Sequence, residues 1–379
     1  MEKTNKIAFV VASLAHGGTE RVVATMANYW SGQGHQVAIF ILGRKEIPIA
    51  FHLDDKVSRF QLGLEGESTT VWSALMRNLG RIRKIRKSIL QWAPDVVLTF
   101  GEAVNIVTVL ALRGSKVRVV ISERTNPFAH KIGWIWSGLR RLSYPLASAL
   151  VVQTERARSF FTNVPAYRMF VIPNPLQFDL SGRDFEILPQ NNRAKTVMTI
   201  GRLGKEKGHD LLLRAFSKVS KQNPEWTLEI WGDGTERKNL ENLCKELRLG
   251  TSVMLQGITQ KPLEEMKRAD IFVLSSRFEG FPNVLVEAMA LGKCVVSFDC
   301  ANGPAEIIRP GIDGVLVPPE NPDEMAAALT ALINDGEKRS QLGAAAREVR
   351  GRYHLRIIMP MWEHVAFSNK STAVNEMAS

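Results

Sequence analysis

Glu279 and Glu287 flank a short turn, with seven residues between them, in the run Phe278-Glu279-Gly280-Phe281-Pro282-Asn283-Val284-Leu285-Val286-Glu287-Ala288-Met289-Ala290. The apolar segment Ile271-Phe272-Val273-Leu274 leads into this turn and an apolar helix leaves it. A buried strand that ends just before a helix start faces unpaired N–H groups, a ready site for a phosphate. A plainer reading also exists: the two acids are helix N-terminal charges, worth about 0.3–1 kcal/mol each.

Three further segments have the right residue types. Gly201-Arg202-Leu203-Gly204-Lys205-Glu206-Lys207-Gly208 puts cations in a glycine-rich turn after a predicted strand, where open α/β sheets bind ligands. Near the N-terminus, Gly17-Gly18-Thr19-Glu20-Arg21 follows another strand and opens an amphipathic helix, with His16 beside it. Two glycines there allow close backbone approach, and the helix start favours an anion. No G-x-G-x-x-G occurs, so this is no dinucleotide fingerprint. Ser122-Glu123-Arg124-Thr125-Asn126-Pro127 follows a third apolar strand. Trp231-Gly232-Asp233-Gly234 ends a further strand, and a tight turn explains it equally well.

The elements that must position these groups alternate strand, loop and helix, the pattern of a parallel sheet covered on both faces. Strands are predicted at 7–12, 36–42, 96–100, 117–122 and 149–153, and again at 196–200, 227–231, 252–256, 271–275, 295–298 and 315–317. A chain of 379 residues exceeds one ordinary core and implies two domains. Pro173-Asn174-Pro175 cannot continue a helix, which sets boundaries of 1–173, a linker at 174–195, and 196–354.

With these residues in place, the sequence resembles the retaining nucleotide-sugar glycosyltransferases of family four. The match rests on the "GGxER" start, the "SERxxP" segment, the "EGFPNVLxEAM" signature, Leu255-Gln256-Gly257-Ile258, and Gly303-Pro304-Ala305-Glu306-Ile307-Ile308 with Asp313-Gly314. The resemblance implies the α/β GT-B fold: two Rossmann-like domains facing a central cleft, with 355–379 crossing back to the first. It assigns Arg202 and Lys207 to the donor diphosphate, Glu279 to the donor sugar and Glu287 to the ribose. Gly17, Gly18, Gly257, Phe281, Pro282, Asn283 and Val284 become donor-binding positions. Fixed cations can stabilise the charge that builds on a leaving diphosphate, and no D-x-D metal signature occurs, so no metal and no cofactor beyond the UDP-sugar donor is expected. Where many relatives carry a histidine this chain has Arg124, so His16, Glu123 and Arg124 are candidates for acceptor or donor-sugar contact.

The enzymes that it most resembles extend polyprenyl-diphosphate-linked glycans in exopolysaccharide, O-antigen and N-glycan-type pathways. The implied reaction moves a hexose or N-acetylhexosamine, galactose or N-acetylgalactosamine, from UDP to such an acceptor. A formal net charge of +11 favours anionic partners. The predicted helix over 72–89 carries Arg77, Arg81, Arg83, Lys84, Arg86 and Lys87 without an acid, which suits phosphate or anionic lipid. Residues 128–145 interleave Trp134, Trp136 and Tyr144 with Lys131, Arg140 and Arg141, which suits a membrane interface or a buried helix with a wet edge. Three cysteines without metal spacing suit a reducing cytosol, so the expected location is the inner face of the plasma membrane. Three rivals stand: a UDP-sugar epimerase on the same fold, a basic nucleic-acid-binding protein, and a nicotinamide-dependent oxidoreductase. No nucleic-acid motif accompanies the charge, so nucleic acid is not an expected partner.

Overall fold

The computed structural model describes residues 4–15, 17–43, 49–64, 71–130, 132–176 and 195–367, with side chains from residue 80 onward in the helix Val71–Trp92. Ile7-Ala8-Phe9-Val10-Val11 is apolar without alternation, as suits a strand covered on both faces, and it forms β1 (Lys6–Val11). Around it lie β2 (Gln36–Ile41), β3 (Ser58–Gln61), β4 (Val96–Phe100), β5 (Arg118–Ser122), β6 (Ala149–Val152) and β7 (Met169–Val171). They form one sheet in the order β3-β2-β1-β4-β5-β6-β7, and every pairing is parallel.

The second sheet contains β8 (Lys195–Ile200), β9 (Trp226–Trp231), β10 (Val253–Gly257), β11 (Ile271–Leu274), β12 (Cys294–Phe298) and β13 (Val315–Val317). Its order is β10-β9-β8-β11-β12-β13, again all parallel. This is the expected α/β class with two parallel-sheet domains. Two strands went unpredicted, and both lie at edges of the first sheet. β3 is four mostly exposed residues and β7 is three half-buried ones, so neither has the apolar run that marks a central strand.

The chain divides into two compact units, one of residues 1–177 and 355–379, the other of residues 178–354. The first sheet is covered on both faces. Ile7, Phe9 and Val11 of β1 join one core, and Ala8 and Val10 join the other, as period-2 alternation requires. The helix Leu355–Phe367 belongs to the first of these cores through Ile358, Met359, Trp362 and Val365. Burying each such side chain contributes roughly 1.5–3 kcal/mol, which explains why this C-terminal helix returns to the first unit. Arg118 Nε also donates to the Val365 carbonyl at 3.0 Å, and Trp30 Nε1 donates to Glu363 Oε1 at 3.2 Å. In the second unit Phe216, Trp226, Leu228, Phe298 and Met325 are buried in one core, and Met198, Phe272 and Val295, of opposite parity on β8, β11 and β12, are buried outside it.

Candidate active site

In the second unit, β8 and β11 pair directly, which brings the loops after them together. Lys207 Nζ donates to Glu279 Oε1 at 2.7 Å, and Ser276 Oγ donates to the same oxygen at 2.6 Å. Among the described residues, the side-chain hydrogen bonds to Glu279 all fall on Oε1 and none on Oε2. Lys207 itself sits in the single helical turn Lys205–Lys207, which ends at Gly208. Gly208 has φ of +62°, and an added Cβ would lie 2.0 Å from the Ser275 carbonyl oxygen, so only glycine fits this close approach.

Arg277 fixes that turn from the other side. Its Nη1 and Nη2 each donate to one Asp210 oxygen at 2.8 Å, and Nη1 also donates to the Lys205 carbonyl at 2.8 Å. Its backbone N–H donates to the Glu206 carbonyl at 2.8 Å. Ser275, Ser276 and Arg277 were not singled out in the sequence; their one signal is their place directly after an apolar strand. His209 lies behind the turn, where burial pulls its pKa down to about 4, so it is neutral at physiological pH. Arg202 extends into solvent with its side chain 74% exposed and donates to Glu206 Oε1 at 2.6 Å.

The predicted helix after the turn is present as Asn283–Ala290, with Glu287 buried on it. Phe281 meets the Tyr353 ring at 5.7 Å in an edge-on arrangement. The Asn283 N–H donates to the Phe281 carbonyl at 3.0 Å, so this amide is turned back on its own loop, while Val284 lies half-buried in the first helical turn, where N–H groups lack intrahelical partners. Gly257 ends β10, where its carbonyl accepts from the Gly232 N–H at 2.7 Å.

The first unit carries the other candidates. Gly17 precedes the helix Gly18–Gly32, and the Glu20 carboxylate folds back over its Cα, within 2.1 Å of where a Cβ would stand. His16 lies outside the described residues. Glu123 and Arg124 follow β5 and are both buried. The Tyr144 hydroxyl donates to Glu123 Oε2 at 2.8 Å, and Thr125 Oγ1 donates to Oε1 at 3.1 Å. Burial, helped by nearby Glu102, pushes the Glu123 carboxyl up to about 7. Arg124 lies over the Phe100 ring at 4.8 Å and the Trp362 ring at 5.6 Å, and donates to Asn174. Burial lowers its pKa to about 9. Tyr144 therefore belongs to the core and not to an interfacial aromatic set, because its hydroxyl needs the Glu123 carboxylate.

The cationic helix is present as Val71–Trp92. Lys84 Nζ donates to the Leu62 carbonyl at 2.7 Å, and Arg86 donates to the carbonyls of Ala111 and Arg113, closing the end of the helix Glu102–Leu112. Those two cations serve the fold. Arg81 is half-buried, and the side chain of Arg77 lies outside the described residues, as does Lys131. On the helix Trp134–Ser143, Trp134 is 84% and Leu142 74% exposed, with Arg141 also exposed. No helix among the described residues is long and apolar enough to cross a membrane, and none of them form a cluster suited to a metal ion.

Comparison with known proteins gives the family. The pattern for "Glycosyl transferases group 1" matches residues 181–349 and that for "Glycosyltransferase Family 4" matches residues 16–180. A lipopolysaccharide 1,6-galactosyltransferase from Escherichia coli is 31% identical over 86% of this chain and 88% of its own length. The chain belongs to the family four glycosyltransferases. A Campylobacter jejuni α-1,4-N-acetyl-D-galactosaminyltransferase, whose acceptor is an undecaprenol-diphosphate-linked glycan, is 28% identical over 94% of this chain and 97% of that protein. An exopolysaccharide phosphotransferase from Streptomyces coelicolor is 30% identical over 92% of this chain, which spans only 39% of that longer protein. Among solved structures, HepE from Anabaena, crystallised with UDP, superposes with a TM-score of 0.76 at 20% identity, covering 95% of this chain and 99% of that one. The fold of this glycosyltransferase is thus the GT-B fold, and its family acts in polysaccharide, lipopolysaccharide and exopolysaccharide biosynthesis.

Proposed function

We propose that this family four enzyme is a retaining, metal-independent glycosyltransferase. It moves galactose or N-acetylgalactosamine from UDP to a polyprenyl-diphosphate-linked glycan, as a peripheral protein on the cytoplasmic face of the plasma membrane. The observation that carries this reading is the Lys207–Glu279 pair at the C-terminal ends of β8 and β11, beside the exposed Arg202. Two cations there serve the donor diphosphate, and Glu279 Oε2 accepts from a hydroxyl of the donor sugar. Related proteins that act on undecaprenol-linked glycans, and a fold neighbour crystallised with UDP, support the donor and acceptor classes.

In the proposed reaction the bond between the anomeric carbon and the β-phosphate oxygen breaks, and a bond to the acceptor oxygen forms on the same face of the sugar. The acceptor proton passes to the departing phosphate oxygen. Arg202 and Lys207 stabilise the charge left on UDP. The exposed Trp134 and Leu142, with Arg140 and Arg141 on the same helix, support contact with an anionic membrane surface. Trp134 also lines an apolar groove of about 330 Å³ together with Ile82, Leu110, Trp136 and Leu139. The test is UDP release by purified enzyme with a panel of UDP-sugars and short polyprenyl-diphosphate-linked acceptors, products read by mass spectrometry. One donor adding its mass to a lipid-linked acceptor, with the anomeric configuration kept, is the expected result. An inverted product or an absolute requirement for a divalent metal would overturn the mechanism.

A further inference from the structure

Beside the Glu279 turn runs a second loop, Cys300-Ala301-Asn302-Gly303-Pro304, between β12 and the short helix Pro304–Ile307. The two backbones touch at several points. Phe278 and Ala301 form an isolated parallel bridge, the Glu279 N–H donates to the Ala301 carbonyl at 3.4 Å, and a Cβ on Gly303 would stand 2.5 Å from Pro282 Cδ. Asn302 sits between these contacts.

Asn302 is unusual in two independent ways. Its φ is +67°, and of the four described non-glycine residues with positive φ it is the buried one; Ala93, Arg248 and Glu320 are exposed. Asparagine tolerates this left-handed conformation better than most non-glycine residues, so the φ fixes the course of the loop at small cost. Its side chain is 3% exposed, yet among the described residues neither the carboxamide oxygen nor the nitrogen has a hydrogen-bond partner. A buried amide left without partners costs roughly 1–3 kcal/mol per group, a cost that a bound water or a ligand group relieves. Among the described residues, Glu279 Oε2 in the adjoining turn likewise accepts no side-chain hydrogen bond.

We propose that Asn302 is a specificity-determining contact for the transferred sugar, its carboxamide completed by a hydroxyl or acetamido group of the nucleotide-sugar donor. This rests on the donor-site reading of the second unit. A carboxamide supplies two N–H donors and one acceptor oxygen, so it pairs with a sugar group that both donates and accepts, while Glu279 can only accept. The two side chains together would distinguish sugars that differ in one substituent, because a site built to hydrogen-bond a group rejects the analogue lacking it.

The test measures the affinity of UDP and of a panel of UDP-hexoses and UDP-N-acetylhexosamines by titration calorimetry, for the wild type, Asn302→Gly and Asn302→Asp. Glycine adopts φ of +67° without strain, so the first variant removes the carboxamide and leaves the loop conformation available. The expected result is UDP affinity within twofold of the wild type in Asn302→Gly, with the extra affinity given by the preferred sugar reduced roughly tenfold. Loss for N-acetylhexosamines alone would assign the contact to the acetamido group; loss for both classes would assign it to a ring hydroxyl. An unchanged sugar contribution in both variants would overturn the proposal, as would a fall in UDP affinity or in melting temperature shared by both, which marks Asn302 as a structural residue of the loop. A wild type that binds no UDP or UDP-sugar would instead overturn the donor-site reading itself, a failure visible before any variant is made.

Discussion

Lys207 Nζ lies 2.7 Å from Glu279 Oε1 although 72 positions separate the two residues in sequence. The contact is partly screened from water, with the lysine side chain 24% and the glutamate side chain 9% exposed. A half-buried pair of this kind is costly to break on one side only, since the partner is left as an uncompensated charge. Lys207 therefore has two tasks on our reading: it offers a cation to the donor diphosphate and it fixes which Glu279 oxygen faces the sugar.

Because the two residues act as one unit, their variants should not add. Lys207→Met and Glu279→Gln are each expected to lower kcat by about 10²–10³, the scale of removing one preorganised stabiliser of transition-state charge. The double variant should be little worse than the more damaging single one. Steady-state UDP release from the three variants checks this; additive losses would mean that the residues work separately.

Arg202 is different, because its side chain is exposed and its bond to Glu206 lies at the surface. An exposed pair contributes about 0–1 kcal/mol to stability. Arg202→Ala should thus melt within a degree or two of the wild type yet lose at least tenfold in kcat. Full turnover in this variant would remove Arg202 from the mechanism.

The parts of this site that were legible in the sequence were local. Gly280, Pro282 and the apolar helix after them announce a strand–turn–helix unit, and the Gly201–Gly208 turn announces another. The partners that complete the site come from tertiary approach. Lys207 meets Glu279, Arg277 clamps Asp210, and Asn302 abuts the Glu279 turn only because β8, β11 and β12 are neighbours in the sheet. The same applies to Tyr144, whose spacing among Trp134, Trp136 and Arg141 suggested an interface. Its contact with Glu123 depends on the packing of residues 144–146 against the helix Glu102–Leu112, whose Asn105 also donates to the Tyr144 hydroxyl, and no local pattern encodes that.

Glu123 gives a pH dependence of stability with a defined sign. Burial raises its carboxyl from an ordinary 4.5 to about 7. A raised pKa means that the folded state holds the proton more tightly than the unfolded chain. Its stabilising contribution is therefore complete below about pH 4.5 and is lost as pH rises through about 7. The shift corresponds to roughly 3 kcal/mol at its full extent. Arg124, lowered to about 9, keeps its charge across this window and does not reverse the trend. His209, lowered from 6.5 to about 4, contributes the opposite trend below about pH 6.5, so the readout is the difference between proteins. From pH 5 to 8 the melting temperature of Glu123→Gln, neutral throughout, should fall less or rise more than that of the wild type. An equal slope in both proteins would assign it to another group.

Gly208→Ala tests whether the Lys207 turn must be held in its present shape. At φ of +62° and 2.0 Å from the Ser275 carbonyl, the added methyl forces either the turn or the strand end to move. We expect a melting temperature lowered by several degrees and UDP affinity reduced at least tenfold. Retained affinity with lowered stability would show that the turn matters to folding alone.

Membrane contact predicts a separable defect. Trp134 and Leu142 lie on the helix Trp134–Ser143 with most of their apolar surface in water, in the first unit and not in the one that carries Lys207, Glu279 and Asn302. Moving such surface to a lipid interface gains about 25 cal/mol per Å², and the neighbouring arginines add attraction to anionic headgroups. Trp134→Ser with Leu142→Ser should weaken sedimentation with vesicles of mixed phosphatidylglycerol and phosphatidylethanolamine severalfold, while UDP affinity stays unchanged. High salt should weaken the wild type as well, since the cationic part of the attraction is screened over a Debye length of about 8–10 Å at ordinary ionic strength. Binding that is equal in wild type and double variant would place the membrane-facing surface elsewhere on the chain.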